Sequence, residues 1–345
     1  MNEQQQLIKE TLGRLLTDLC TPQVVDDAEN GTWAGDLWNT LTETGLTLAG
    51  IPEAAGGSGG DLEDSLLVLR EAARFGAPVP LAEHFMAALL LSEQGAAAGG
   101  GPMTIATGDC SVDSDNRLSG SAEGVAFARW CNEVVLTAKT DGGMVLCRVP
   151  VSDLDITEGR SVAGEPRDNI NISTQLDAAG VLPATDDVDR RIRLMGAAAR
   201  SVMMAGALES VLEISVQYSQ ERAQFGRPIS KFQVIQHQLA EMAGEVAAST
   251  MASESVVNNF TSLDEMEIAI GKARIGESVS VCTDYAHGIL GAMGYTLEHS
   301  LNPRTRRLWC WRDEYGAERE WQRLIGRGML ANGADGFWGE ITNRG

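Results

Sequence analysis

Between Tyr218 and Met242 the chain reads YSQERAQFGRPISKFQVIQHQLAEM, and no other run constrains the fold as tightly. Helical stripes flank it. Met204, Leu208, Val211 and Leu212 recur at helical spacing before it, and Ile235, Leu239, Met242 and Val246 mark a second stripe that its end begins. Ile275, Val279, Cys282, Ala286 and Ile289 mark a third helix. Three long amphipathic helices in succession predict a bundle, with these stripes as its core rather than as a ligand wall.

The preceding residues have two other textures. Residues 1–100 read as helical. Ile8, Leu12, Leu15, Leu16 and Leu19 keep a helical period, and Trp33, Leu37 and Leu41 do so after the turn at Asn30-Gly31. The loop Gly56-Gly57-Ser58-Gly59-Gly60 cannot be helix, and Asp61 offers an N-cap for a helix carrying Leu66, Leu67, Leu69 and Ala73. Residues 101–185 are β-rich: Asn132–Ala138 and Met144–Val149 flank the hairpin signal Asp141-Gly142-Gly143, and Asn169–Ile172 alternates. The predicted organisation is an N-terminal helical domain (1–100), a small antiparallel β domain (101–185) and a C-terminal helical bundle domain (186–345).

Forty-eight acidic residues against 27 Lys and Arg give a net charge of -21, which argues against nucleic acid and anionic membranes as partners. A phosphate-bearing ligand needs a local basic exception. Two exist: Arg222 with Arg227, and the cluster Arg304, Arg306, Arg307 and Arg312, which reads equally well as a salt-bridged face. The six cysteines and four histidines have no metal-ligand spacing, so reduced thiols and no metal are predicted. No apolar run reaches the ~18 residues of a membrane span, and MNEQQQLIKE is not a secretory signal, so the chain reads as cytoplasmic.

The Arg-x-Gln-Phe-Gly-x-Pro-Ile run, followed by Phe-Gln-x-Ile-Gln-x-x-Leu-Ala-x-Met, resembles the helix–turn–helix with which acyl-CoA dehydrogenases grip the pyrophosphate end of FAD. GLTLAGIPEAAGGSGGD and GAMGYTLEHSLNPRTRRLWCWR are similar to two further family segments, and the order helical lobe, β domain, four-helix bundle is the family's. The resemblance implies α,β-desaturation of an acyl-CoA thioester: a carboxylate removes the α-proton while the β-hydrogen leaves as hydride to FAD. It assigns Arg222 to the pyrophosphate, where a planar guanidinium makes paired charge-assisted bonds. Gln224 and Phe225 then neighbour the phosphates and adenine, Ile229, Phe232, Gln233 and Ile235 line the adenosine end, and Gly291 and Ala292 supply close backbone. Gly288 stands where the family has a glutamine. Such a grip crosses a subunit interface and holds FAD seated mainly in the neighbouring subunit.

The chain also departs from the family. The flavin-ring loop is missing between Met103 and Arg117, the ring-facing tripeptide falls on Val125-Ala126-Phe127, and Trp130 reads as a sheet-core aromatic. The usual base position is Tyr315, with Glu314 as the adjacent candidate; the family's alternative base position is Gly196. No catalytic residue is therefore assigned. The resemblance implies the base-less subunit of an α2β2 heteromer with a homologous catalytic chain, of the kind that degrades steroid side chains. A self-sufficient homomer using Glu314 and a flavin-free scaffold stay open beside it. Leu308-Trp309-Cys310-Trp311 reads as either a subunit interface or an aromatic packing pair.

Overall fold

The computed structural model describes residues 2–331 and 333–342. The N-terminal lobe holds α1 (Glu3–Leu19), α2 (Pro22–Glu29), α3 (Gly35–Glu43), α4 (Leu62–Phe75) and α5 (Leu81–Glu93). Local chemistry sets their starts: Asn2 Oδ1 accepts from Gln5 N (2.8 Å), Thr21 caps α2, and Asp61 N donates to Asp64 Oδ2 (3.1 Å) at the head of α4. Helix α5 is buried along almost its whole length, so its polar residues must find partners inside the protein. His84 Nδ1 accepts from Met103 N (3.1 Å), and burial lowers its pKa to about 4, keeping the ring neutral.

Strands follow: β1 (Met103–Ala106), β2 (Asp109–Val112), β3 (Arg117–Ala126), β4 (Glu133–Thr140), β5 (Gly143–Pro150), β6 (Leu154–Thr157), β7 (Arg167–Gln175) and β8 (Val181–Pro183). They form one sheet in the order β6-β7-β3-β2-β4-β5-β8, with β1 on β4. The sheet is not purely antiparallel as expected: β1 runs parallel to β4 over four residues, and β2 meets β4 in parallel at Ser111↔Lys139. The short Thr107-Gly108 link explains it, because β1 and β2 lie nearly end to end along the same neighbour. Trp130 is not in the sheet core. It is half-buried at the junction with the N-terminal lobe, 5.6 Å from the Trp33 ring and 6.0 Å from Phe127.

The remaining chain is helical: α6 (Val188–Glu221), the hairpin strands β9 (Ala223–Gln224) and β10 (Arg227–Pro228), then α7 (Gln233–Asn258), α8 (Glu265–Leu290), α9 (Leu301–Asp313), α10 (Glu318–Ala331) and α11 (Gly333–Thr342). Helices α6, α7 and α8 pack on one another, α10 lies along α8, and α9 packs on α6 and α8. Leu308 and Trp311 are buried in this core, and Trp309 stacks on His287 at 5.7 Å while its Nε1 donates to Thr283. The LWCW segment is thus internal packing. The arginines beside it are also occupied. Arg306 and Arg307 pair with Glu29, Arg307 with Glu165, Arg312 with Glu318, and Arg304 donates to Arg74 O and Ser210 Oγ. That cluster staples the three regions together, with Arg306, Arg307 and Arg312 spent on carboxylates and Arg304 on neutral oxygens.

Candidate functional site

The last turn of α6 delivers Arg222 to a tight hairpin whose register pairs Gln224 with Arg227 and Ala223 with Pro228. Phe225 and Gly226 form the two-residue tip, both with left-handed backbone (φ 51° and 77°), which explains the glycine. Ile229 N donates to Arg222 O (2.8 Å), closing the hairpin onto α6. Opposite stands the end of α8 and the 3-10 turn Gly291–Tyr295, entered by Gly291 at φ 58°, ψ -138°, a conformation only glycine adopts easily.

Between them lies a cleft of about 600 Å³, within the ~300–1,000 Å³ of small-molecule sites. Arg222, Gln224, Phe225, Ile229, Phe232, Ile235, Gly291 and Ala292 all line it. Gln233 does not: as the first residue of α7 it is exposed and off the wall. The cleft adds residues that the sequence did not assign to the nucleotide, namely Tyr218, Val234, Gly288, Ile289, Leu290 and Met293. Tyr218 had a signal, since it sits one helical turn before Arg222. Phe225 is 91% exposed, and among the described residues no carboxylate pairs with Arg222 or Arg227.

A second cavity, about 380 Å³, lies where the sheet meets α6 and the turn after α9. Val125 and Ala126 line it, together with Ile105, Thr107, Ile192 and Tyr315, whereas Phe127 turns away into the cluster with Trp130. Its charged floor is already paired. Arg200, 2% exposed, ion-pairs with buried Glu83, and its Nε donates to Glu314 Oε2 (2.6 Å). The other Glu314 oxygen takes Arg167 Nη2 (2.5 Å), which also reaches Glu165 (3.1 Å). Glu165 continues to Arg307 (3.2 Å), and Arg307 to Glu29 (3.0 Å). Acid and base thus alternate from α5 through α6 and β7 to α9 and α2.

Burial alone would raise the Glu314 pKa, but Arg167 and Arg200 outweigh it and hold the carboxyl at about 2. A carboxylate so tightly satisfied is a poor proton acceptor at neutral pH. Burial and the nearby Glu83 push the Tyr315 phenol well above its ordinary range, so it stays protonated at neutral pH. The Tyr315 ring lies against Gly196: a Cβ there would overlap the ring carbons. The two positions at which the resemblance looks for a base are therefore one place in space, filled by an aromatic ring. Lys272 holds the turn, donating from its buried ammonium to Trp311 O (3.1 Å), Arg312 O (2.6 Å) and Gly316 O (3.2 Å). None of the glycines at 56–60 lines either cavity.

Residues 2–98 match the family model for the acyl-CoA dehydrogenase N-terminal domain, and residues 193–325 the model for its C-terminal domain. The chain belongs to the acyl-CoA dehydrogenase family. Among curated relatives, acyl-CoA dehydrogenase IpdE2 of Mycolicibacterium smegmatis is 26% identical over 87% of this chain and 91% of its own length. The fold is shared with the ChsE4-ChsE5 complex of Mycobacterium tuberculosis (TM-score 0.85, 20% identity, 96% of this chain and 98% of that one). It is also shared with the Tcur3481-Tcur3483 steroid ACAD (TM-score 0.84, 23% identity, 96% and 99%). No described helix is long and apolar enough to cross a membrane.

Proposed function

We propose that this chain is the flavin-clasping, base-less subunit of a heteromeric acyl-CoA dehydrogenase, working with a homologous chain that holds the flavin ring and the catalytic carboxylate. The observation that carries the reading is the opposite state of its two cavities. The cleft at the hairpin is open, and among the described residues no carboxylate pairs with its Arg222 or with neighbouring Arg227. The cavity on the ring side has Arg167, Arg200 and Glu314 paired within the chain and Tyr315 packed on Gly196.

The hairpin cleft fits the adenosine and pyrophosphate end of FAD. Arg222 meets the phosphate charge, Gln224 offers an amide, Phe225 and Phe232 offer ring faces, and Gly291 lets backbone come close. When bound, FAD supplies hydride acceptance, and this chain's part is to hold and orient the nucleotide and exclude water from it. Proton abstraction from the acyl-CoA α-carbon falls to the companion chain, because the Glu314 carboxylate is too weak a base and Tyr315 stays protonated at neutral pH. The paired chains that two structural neighbours name support a heteromer, and the steroid ACAD among them supports a steroid substrate; α2β2 stoichiometry and a side-chain thioester rest on the family resemblance alone.

The test is expression alone and with a homologous acyl-CoA dehydrogenase chain that carries the missing loop and a glutamate base. The expected result is a colourless product alone and a yellow, active complex with the companion. Arg222→Ala in that complex should weaken flavin retention by about 1.5–3 kcal/mol, the loss of a charge-assisted pair. A yellow, thioester-oxidising homomer would overturn the reading.

A further inference from the structure

The hairpin cleft has an uneven distribution of polarity. The wall from Gly288 to Met293 (Gly, Ile, Leu, Gly, Ala, Met) offers no polar side chain, and a Cβ at Gly288 or Gly291 would meet open space. The negative charge of a diphosphate must therefore be met from the hairpin side.

Two cations share that side. In an antiparallel hairpin, directly opposed residues point to the same face and alternate residues along a strand share it. Gln224 opposes Arg227, and the Ile229 N to Arg222 O bond extends the ladder by one step on the alternate register. Arg222, Gln224, Arg227 and Ile229 thus present to one face, and three of these four line the cleft. The fourth, Arg227, lies with its guanidinium 4.4 Å from the centroid of the Phe232 ring, itself a lining residue. Cation–π stacking holds the guanidinium without neutralising it, so its N–H edge stays available to an anion. Both arginines are exposed, in a chain whose other basic clusters are largely absorbed by carboxylates.

We propose that Arg227 is a second phosphate-binding cation of this cleft, and that the chain alone, without flavin ring or companion, binds the diphosphate of an adenine nucleotide between Arg222 and Arg227. The inference rests on the reading of the cleft given above, but it concerns a residue and a binding activity which that reading does not require.

The probes are ADP, AMP and adenosine, titrated calorimetrically into the full-length chain. ADP should bind, and more tightly than AMP or adenosine. Arg227→Met should weaken ADP by about tenfold or more, as loss of a charge-assisted contact does, while leaving adenosine within about twofold. Arg227→Lys should restore most of the ADP affinity, which a purely structural role of Arg227 on Phe232 would not predict. No ADP binding by the isolated chain, equal affinities for the three probes, or an Arg227→Met variant that binds ADP normally would each overturn the proposal. Flavin content of the two-chain complex is a separate readout: a yellow complex that depends on Arg222 beside an indifferent Arg227→Met would sink this inference and leave the preceding one standing.

Discussion

Arg222 and Arg227 at the hairpin, and Arg167 and Arg200 at the domain junction, are the same residue type put to opposite uses. At the junction each guanidinium has two carboxylates, and burial makes their loss expensive. At the hairpin neither guanidinium has a carboxylate among the described residues, and both stand in water, where leaving them unpaired costs little. Charge that is matched inside the chain builds architecture; charge left unmatched at a concave, apolar-walled cleft is kept for a ligand. The contrast predicts large stability effects and no binding effect at one place, and the reverse at the other.

Arg200→Met should produce the largest loss. It leaves Glu83 and Glu314 facing each other across the vacated site, and removing one member of a buried pair typically costs about 3–5 kcal/mol, to be read from chemical denaturation. Acid should act on the same chain of charges. The folded-state pKa of Glu314, about 2, lies below its ordinary 4.5, so its stabilisation is complete above about pH 4.5 and drains away as pH falls toward 2. Glu314→Gln should remove that component from the acid unfolding profile; an unchanged profile would mean the carboxylate is not clamped as described. Gly196→Ala comes next, at about 1–3 kcal/mol for overpacking against Tyr315. Combining it with Tyr315→Ala should cost less than the two changes summed, and strict additivity would break the claimed contact. Arg222→Ala should be smallest in stability, within about 0.5 kcal/mol, although it lowers flavin retention. A large drop in melting temperature there would erase the distinction between the two sites.

The hairpin site was legible because it is nearly contiguous: most of its lining residues lie within the segment that the sequence singles out, and a second short segment supplies the rest. The paired junction was not legible as a unit. Glu83 and Arg200 are 117 positions apart, and periodicity says nothing about which distant charges meet. A signal was nevertheless present. Arg200 interrupts MGAAARSVMMAGA and Glu83 interrupts LAEHFMAALLL, and a lone charge inside an apolar helix stretch is almost always buried against an opposite one. The partner's identity needed the fold. So did the proximity of Gly196 and Tyr315, which counting along the chain treats as two unrelated positions. The β domain was readable in its hairpin and its alternation, while the parallel placement of β1 was not, because strand direction depends on pairing rather than on composition.

The contact between Tyr315 and Gly196 also bears on what installing a carboxylate at this place would require. A carboxylate arriving at position 196 would collide with a ring already there, and one arriving at position 315 would enter beside Arg200 and an existing Glu314. A single replacement at either position meets an obstacle already in place, a ring at 196 or a clamped Arg200–Glu314 pair at 315, so fitting a carboxylate there calls for compensating changes beside it.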